Sequence, residues 1–369
     1  MVKKTIVLLP GDGIGPEVTA AAARILADCA KEWGHRFELI EQPIGGAAID
    51  AAGSPLPETT MESALGADAV LLGAVGGPKW DALPVGRRPE TGLLELRRRL
   101  GLFVNLRPVR LRPALGRLSP LRADRHRGVD LEIVRELSGG IYFGRRGHHG
   151  QGGDESAFDT EAYSVKEIER VARFAFERSA SRRGRLHSVD KANVLETSQL
   201  WRRTVDRLSG EYSSVELRHL YVDNAAMQLV LDPAQFDVIL TSNMFGDILS
   251  DEAAALAGSI GLIPSASLGS GPALYEPIHG SAPQLAGKDS ACPIGAILSA
   301  AILLRESFGL AKEADWIERS VDRALATGAR TPDLATSGER AIGLAAMTEA
   351  IRREMAHSLQ PAEGYGWGV

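Results

Sequence analysis

A short apolar run, a glycine-rich turn and a helical stretch follow one another in the segment Thr5-Ile-Val-Leu-Leu-Pro-Gly-Asp-Gly-Ile-Gly-Pro16 and residues 16–33. The run 5–9 predicts a buried strand, and Pro16 suits a helix start because the first turn needs no N–H there. Further strands are predicted at 69–73, 131–136 and 236–241, and helices at 90–100, 164–181, 245–258 and 293–308. This alternation predicts an α/β fold with a mostly parallel sheet.

The composition is that of an ordinary globular protein. The chain has 369 residues, 42 Lys plus Arg and 47 Asp plus Glu, a net charge of −5, and 44% hydrophobic residues. The length favours two domains. These values exclude a disordered chain, a collagen-like fibre and a disulfide scaffold, and they give no reason to expect a nucleic-acid partner.

The two cysteines, Cys29 and Cys292, predict free thiols and a cytoplasmic protein, since no Cys/His spacing resembles a zinc site. Residues 1–10 favour a strand over a signal peptide because they lack a long apolar stretch and a small-residue cleavage site. The apolar run 293–304 is too short to span a bilayer and predicts a buried core helix. No membrane partner is expected.

The glycine cluster Gly11–Pro16 invites comparison with the dinucleotide fingerprint G-x-G-x-x-G. Pro16 stands where the third glycine belongs, and no well-placed acid follows. We therefore interpret the cluster as a tight strand-to-helix turn, not as part of an ordinary Rossmann fold.

The strongest carboxylate signal is the pair Asp247 and Asp251, which lie four residues apart and share one helix face. A hard divalent ion such as Mg²⁺ or Mn²⁺ would relieve their repulsion. The alternative is a solvated, charged helix surface, which is the commoner explanation of such a pair. Asp223, on another element, could complete a ligand set.

Arginines and two isolated polar residues offer further chemistry. Arg97, Arg107 and Arg135 lie on successive elements and could clamp a substrate with two carboxylates, although surface arginines are the alternative. Lys191 lies between apolar residues and could act as a base if its pKa were lowered. Tyr142 is flanked by glycines that allow a ligand to approach the backbone. The alternative for both Lys191 and Tyr142 is a purely structural role.

Taken together, the motifs resemble one family, the metal-dependent β-decarboxylating dehydrogenases, also called the isocitrate/isopropylmalate dehydrogenase family. The resemblance covers nearly the whole chain. Its motifs are LPGDGIGPE at 9–17, GAVGGPKW at 73–80, RPETGLL at 88–94, NLRP at 105–108, VREL at 134–137, SVDKANV at 188–194, VDNAAMQ at 222–228, NMFGDILSDE at 243–252 and YEPIHGSAP at 275–283. So many motifs in this order make a chance similarity implausible.

The resemblance implies a role for each candidate. Arg97, Arg107 and Arg135 would hold the malate carboxylates, and Asp223 would also contact the substrate. Asp223, Asp247 and Asp251 would bind Mg²⁺ or Mn²⁺, which would polarise the new ketone and stabilise the enolate. Lys191 would take the C2 hydroxyl proton and Tyr142 would protonate the enol carbon. Lys191 and Asp223 would come from the partner subunit, so a homodimer is implied.

The resemblance also implies the substrate. Leu93 and Leu94 stand where isocitrate-using relatives place polar residues, and with Val194 they would suit an isopropyl group. The expected reaction is oxidative decarboxylation of (2R,3S)-3-isopropylmalate to 4-methyl-2-oxopentanoate, a step of leucine biosynthesis. Homoisocitrate, isocitrate and tartrate are the alternatives.

NAD is the implied cofactor. Its binding residues would be Gly76, Gly77, Glu90, His279, Gly280, Ser281, Ala282, Gln284 and Cys292. Family members that use NAD usually have Asp in place of Gln284 and Asn in place of Cys292. Gln284 can bond a ribose hydroxyl but lacks the anion that repels a 2′-phosphate. The Lys-Tyr pair of NADP-using relatives is absent, since Leu285 follows Gln284.

The resemblance implies an isopropylmalate/isocitrate dehydrogenase-like two-domain fold. Residues 1–102 and 256–369 would form a discontinuous cofactor-side domain, and 103–255 a substrate, metal and dimerisation domain with an arm near 142–165. Two stretches, the arginine-rich 111–127 and the stretch 145–153, are atypical of the family. The glycine-rich segment 144–153 predicts an exposed loop or arm. They motivate the competing hypothesis of a non-catalytic paralogue that binds a ligand or regulates.

Overall fold

The computed structural model describes residues 1–125 and 128–357 and divides the chain into two compact units. Unit 1 comprises Met1–Leu96, Ser259–Pro264 and the residues from Pro272 onward, and unit 2 comprises Arg97–Gly258 and Ser265–Gly271. The sequence analysis placed the division at 102/103 and 255/256. Residues 358–369 of its first domain, and 126–127 of the first atypical stretch, lie outside the described residues.

Twelve strands occur in the described part of the chain: β1 (Lys3–Gly11), β2 (Arg36–Glu41), β3 (Ala69–Ala74), β4 (Leu102–Arg110), β5 (Asp130–Glu136), β6 (Arg146–His149), β7 (Ser156–Asp159), β8 (Arg185–Asp190), β9 (Glu216–Tyr221), β10 (Val238–Thr241), β11 (Pro264–Gly269) and β12 (Ala273–Pro277). Eleven α-helices accompany them in the same residues: α1 (Gly15–Trp33), α2 (Gly45–Ala52), α3 (Glu58–Gly66), α4 (Pro89–Arg99), α5 (Val165–Ala180), α6 (Glu196–Ser209), α7 (Val222–Leu231), α8 (Asn243–Leu256), α9 (Ile294–Glu306), α10 (Ala311–Ala326) and α11 (Leu344–His357).

Unit 1 contains four parallel strands in the order β2-β1-β3-β12. β3 is buried along its whole length, as its continuous apolar sequence predicts for a strand covered on both faces. Helix α9 is buried from Ile294 to Leu304, so the apolar run at 293–304 is a core helix as predicted. None of the described helices is long and apolar enough to cross a membrane.

Unit 2 contains the strand order β11-β4-β5-β10-β8-β9. β4 runs antiparallel to β11 and β5, whereas β5, β10, β8 and β9 run parallel to one another. The carboxyl ends of these four parallel strands therefore lie at one edge of the sheet. Ligands of α/β proteins bind preferentially at such an edge.

The α/β fold and mostly parallel sheet predicted from the sequence are confirmed, and every predicted strand and helix is present within about two residues at most ends. Ser164 caps α5 through a capping box with Glu167, which satisfies two backbone N–H groups of the first turn. Tyr142 lies in a turn after β5. The predicted exposed segment at 144–153 contains β6, which pairs antiparallel with β7 in an exposed two-stranded hairpin.

Candidate active site

Four of the predicted site residues follow strands that end at the same edge of unit 2. Tyr142 lies in the turn after β5, Lys191 directly follows β8, Asp223 opens α7 after β9, and Asp247 lies in the second turn of α8 after β10. The parallel order of these strands thus brings residues from distant parts of the sequence to one side of the sheet.

We call the cluster formed by Arg107, Arg135, Tyr142, Asp247 and Asp251 the carboxyl-end site. Arg135 donates from Nη1 to Asp247 Oδ1, and Tyr142 donates its hydroxyl to Asp247 Oδ2 at 2.9 Å. Arg107 Nη2 lies 3.3 Å from Asp247 Oδ1. Gly246 allows this approach, since a Cβ there would lie 2.7 Å from the Cβ of Arg135.

The three predicted arginines influence one another electrostatically. Arg107 and Arg135 are 8% and 3% exposed, so their charges are poorly screened. Burial, and then the like charges of Arg107 and Arg97, lower the pKa of Arg135 to about 10 although Asp247 acts in the other direction. The guanidinium groups therefore repel one another in the free protein, and a dianionic ligand would relieve that repulsion.

The two carboxylates on α8 have opposite pKa shifts. Burial raises the pKa of Asp247, but Arg135, Arg107 and the Tyr142 hydroxyl more than offset it and hold the carboxyl below its usual range. Burial and the nearby charge of Asp247 raise the pKa of Asp251, which has Arg107 Nη1 at 3.5 Å. A cation would relieve this repulsion, so the hard oxygen donors Asp247 and Asp251 fit a divalent metal ion.

The other predicted metal ligand, Asp223, lies apart from these two. Its carboxylate accepts a hydrogen bond from Lys191 Nζ, and this bond lowers the pKa of Asp223. Within residues 1–125 and 128–357, no three carboxylate, imidazole or thiol groups come close enough to hold a metal ion. One chain therefore does not close the predicted ligand set by itself.

The predicted isopropyl pocket residues lie in two places. Leu93 and Leu94 are half-buried in α4 of unit 1, three and four residues before Arg97. Val194 follows β8 in unit 2 and its side chain is 65% exposed. An exposed valine beside Lys191 leaves an apolar side chain that a ligand or a second chain could cover.

In unit 1 the predicted cofactor residues lie around the turn between β1 and α1. Gly13 adopts φ of +59°, and a Cβ there would lie 2.0 Å from the carbonyl oxygen of Ser281. The same carbonyl accepts the backbone N–H of Ile14 at 2.8 Å. The glycine turn thus packs directly against the loop that carries His279, Gly280, Ser281, Ala282 and Gln284, in agreement with a tight strand-to-helix turn.

His279 provides a test of whether these residues fit a nucleotide. Its Nδ1 lies 2.9 Å from the carbonyl oxygen of Gly280 and therefore donates. Burial lowers the pKa of His279, so the ring is neutral and Nε2 is an acceptor, which is buried and without a partner among the described residues. A hydroxyl or amine donor of an adenosine would satisfy it. Gln284 is exposed, whereas Cys292 and Cys29 are buried cysteines that form no disulfide among the described residues.

Asp12 is a residue of this region that the sequence analysis did not single out. Its carboxylate accepts the backbone N–H groups of Gly46, Ala47 and Gly76 at 2.7–2.8 Å. Gly76 in turn makes room for Glu90, since a Cβ at Gly76 would lie 2.5 Å from Glu90 Oε1. The sequence signal that could have identified Asp12 is its position between Gly11 and Gly13 in the glycine turn.

Two buried asparagines in unit 2 were also missed. Asn105 Oδ1 accepts from Arg107 Nε at 2.7 Å, and Asn243 Oδ1 accepts from Arg135 Nε at 3.0 Å. Both asparagines are at most 1% exposed. Their positions, two residues before Arg107 on a strand and four before Asp247 on a helix, place them on the same faces as those residues.

Comparison with known proteins identifies the family of the chain. The profile of the family described as Isocitrate/isopropylmalate dehydrogenase matches residues 5–351. The 3-isopropylmalate dehydrogenase of Prochlorococcus marinus (strain MIT 9313) is 57% identical, covering 94% of this chain and 98% of that protein. The 3-isopropylmalate dehydrogenase of Synechococcus sp. (strain CC9902) is 55% identical, covering 96% of this chain and all of the relative.

Among solved structures, an isocitrate dehydrogenase from Methylococcus capsulatus superposes with a TM-score of 0.85 at 34% identity, covering 95% of this chain and 99% of that chain. The apo form of a β-decarboxylating dehydrogenase from Thermococcus kodakarensis gives a TM-score of 0.78 at 36% identity, covering 98% and 100%. Both matches extend over both units. The chain belongs to the isocitrate/isopropylmalate dehydrogenase family.

Proposed function

We propose that this protein oxidises and decarboxylates (2R,3S)-3-isopropylmalate to 4-methyl-2-oxopentanoate and CO₂, with reduction of NAD, in leucine biosynthesis. The observation that carries the proposal is the carboxyl-end site, where Arg107 and Arg135 surround two carboxylates on α8. The high identity to 3-isopropylmalate dehydrogenases supports this substrate over isocitrate, homoisocitrate and tartrate.

Each residue then has a defined task. Arg97, Arg107 and Arg135 bind the two carboxylates of the substrate, while Leu93, Leu94 and Val194 contact its isopropyl group. Lys191 accepts the proton of the C2 hydroxyl when C2 is oxidised. NAD, when bound, would supply the acceptor for the C2 hydride. The bond from C3 to its carboxylate then breaks, its electron pair forms the enolate, and the Tyr142 hydroxyl returns a proton to C3.

Asp247 and Asp251, with Asp223, would hold Mg²⁺ or Mn²⁺. When bound, such an ion supplies Lewis-acid polarisation of the C2 oxygen and charge stabilisation of the enolate. Glu90, Gly76 and Gly77, and the loop from His279 to Gln284, would bind NAD together with Cys292. The half-exposed Tyr142 keeps its proton at neutral pH, since burial and Asp247 raise its pKa.

We further propose a homodimer in which Lys191 and Asp223 serve the site of the partner. Two observations support it. Lys191 and Asp223 pair with each other, and among the described residues Asp223 forms no metal-binding group with Asp247 and Asp251; in addition, α7 and α8 expose apolar side chains. Met227, Val230, Leu231 and Ile248 are 46–59% exposed on these helices. A second copy of the same face would cover them. The two buried cysteines, which form no disulfide in the described part of the chain, agree with a reducing, cytoplasmic location.

A substrate panel tests the activity. NADH formation is measured with 3-isopropylmalate, isocitrate, homoisocitrate and tartrate, with NAD or NADP, and with or without Mg²⁺ or Mn²⁺. We expect turnover with 3-isopropylmalate and NAD that requires a divalent ion. Equal turnover with isocitrate or tartrate would make the substrate assignment wrong, and no turnover with any substrate would favour the non-catalytic paralogue.

Mixing two inactive variants tests the shared site. Lys191→Ala and Asp247→Asn homodimers should both be inactive. After unfolding and co-refolding in equal amounts, heterodimers contain one complete site only if Lys191 acts in trans. Random pairing then restores about a quarter of wild-type activity. If Lys191 serves its own chain, no site is complete and the mixture stays inactive.

A further inference from the structure

The two site arginines are held at their inner edges by neutral groups. Asn243 Oδ1 accepts from both Nε and Nη2 of Arg135, at 3.0 and 2.8 Å, which leaves Nη1 for Asp247. Asn105 Oδ1 accepts from Nε of Arg107 at 2.7 Å, which leaves its two terminal nitrogens for Ser250, Asp247 and Asp251. Both guanidinium groups are thereby fixed in orientation.

The asparagines are themselves firmly held. Asn243 donates from Nδ2 to the carbonyl oxygen of Gly139 at 3.0 Å, and its backbone N–H bonds the Tyr163 hydroxyl at 2.9 Å. Asn105 donates from Nδ2 to Ser267 Oγ at 3.2 Å and lies directly opposite Arg135 in the β4–β5 register. Because Nδ2 is engaged as a donor in each case, Oδ1 is the atom that faces the arginine.

Two half-buried arginines of unit 2 are held differently. The Nε of Arg182 donates to the carboxylate of Asp237 at 2.8 Å, and the Nε of Arg178 donates to Glu132 at 2.6 Å. A carboxylate in this position offsets the guanidinium charge, whereas an amide oxygen supplies the same hydrogen bond without doing so. Of these four arginines, the two with an amide oxygen at Nε are the two that face the proposed substrate.

We propose that Asn105 and Asn243 are positioning residues that orient Arg107 and Arg135 through neutral oxygens, which add no negative charge to oppose the dianionic substrate. This inference rests on the proposed function, in which these arginines bind the malate carboxylates. Asn105 is the cleaner position to test, because the Ser267 hydroxyl can turn to donate to a carboxylate at 105. At 243 an acid would face the carbonyl oxygen of Gly139.

The experiment compares Asn105→Asp, Asn105→Ala and wild type by steady-state kinetics, with Tm measured for each. Asn105→Asp should raise the KM for 3-isopropylmalate at least about tenfold while the KM for NAD and the Tm change little, since the added charge opposes only the anionic substrate. Asn105→Ala frees the arginine but keeps the site cationic, so it should raise this KM less. Glu132→Gln is the reciprocal control, which should lower the Tm and leave the KM for 3-isopropylmalate unchanged.

An Asn105→Asp enzyme with wild-type Tm and an unchanged KM for 3-isopropylmalate would overturn the proposal. An equal rise in Asn105→Asp and Asn105→Ala would also overturn it, because orientation alone would then explain both. If Asn105→Asp does not fold, Asn243→Asp and Asn243→Ala give the same comparison at Arg135. Wild-type turnover is measured first: its absence contradicts the proposed function, whereas normal wild-type turnover with unaffected variants contradicts only this inference.

Discussion

Two charged clusters lie at opposite ends of β5 and β10, and arginines behave differently in each. At the amino ends, Arg178, Arg182 and Arg183 surround the buried carboxylates of Glu132 and Asp237, a cluster that we call the amino-end network. Burial acts to lower the pKa of Arg182, but Glu132, Asp130 and Asp237 raise it above its usual range. In the carboxyl-end site, Arg135 has its pKa lowered to about 10.

This difference separates a structural ion network from a site built for a ligand. The carboxylate of Asp237 accepts hydrogen bonds from Arg182 Nε at 2.8 Å and from the backbone N–H of Arg183 at 2.9 Å. Its negative charge is therefore balanced by groups of the protein itself. In the carboxyl-end site, like charges oppose one another and Asp251 has a raised pKa. Charges that repel in the free protein are stabilised when a ligand of opposite charge arrives.

The largest effect is expected for Asp247→Asn. This variant removes a proposed metal ligand and leaves the charges of Arg135 and Arg107 without their shared partner, so kcat/KM should fall on the order of a thousandfold. The side chain of Asp247 is 34% exposed, so the fold should persist. Steady-state kinetics and circular dichroism measure the two quantities. Activity near the wild-type level would remove Asp247 from the mechanism and weaken the contrast between the clusters.

The matched substitution in the amino-end network, Asp237→Asn, should act on stability instead. It leaves Arg182 and Arg183 facing a neutral amide in a fully buried position, which should lower the free energy of unfolding by about 3 kcal/mol. Urea unfolding monitored by circular dichroism measures this change. The kcat/KM of the folded variant should stay within about twofold of wild type. A stable variant with poor activity would show that both clusters serve catalysis.

A smaller effect concerns His187, which lies on β8 close to the amino-end network. Burial, and then the charges of Arg218 and Arg185, lower the pKa of His187 from 6.5 to about 4, with Glu216 and Asp237 acting in the opposite direction. Its Nδ1 is buried without a partner among the described residues, and the ring packs edge-on against Phe236 at 4.8 Å. The folded state thus holds this imidazole neutral.

Between pH 6.5 and 4 the unfolded chain binds more protons at His187 than the folded protein does, so stability falls as the pH is lowered through this window. The loss between pH 7.5 and pH 5 should be about 2 kcal/mol. Urea unfolding at both pH values measures it in wild type and in His187→Leu, which should lack this component. An equal pH dependence in the two proteins would contradict the shift.

The sequence allowed the fold class and the candidate site to be predicted to different degrees. Segments such as β3, α5 and α9 were recognised, because burial on all sides leaves a continuous apolar run and burial on one face leaves a periodic pattern. The mixed, half-exposed strands β2 and β9, and the antiparallel β4, were not. Asp247, Asp251 and the arginines could be named because their motifs are long. Their contacts could not, because they join residues more than a hundred positions apart.

The sequence by itself determined the alternation of strands and helices, the family and the residue types capable of the chemistry, since these depend on local patterns and on motifs read in order. Only the tertiary structure decided which groups hold Arg107 and Arg135, and that Arg178, Arg182 and Arg183 form the amino-end network. Composition cannot distinguish them, because the partner of each guanidinium, an amide oxygen or a carboxylate, is brought to it by strand order and not by neighbours in sequence. The same long-range packing places Lys191 and Asp223 apart from Asp247 in one chain.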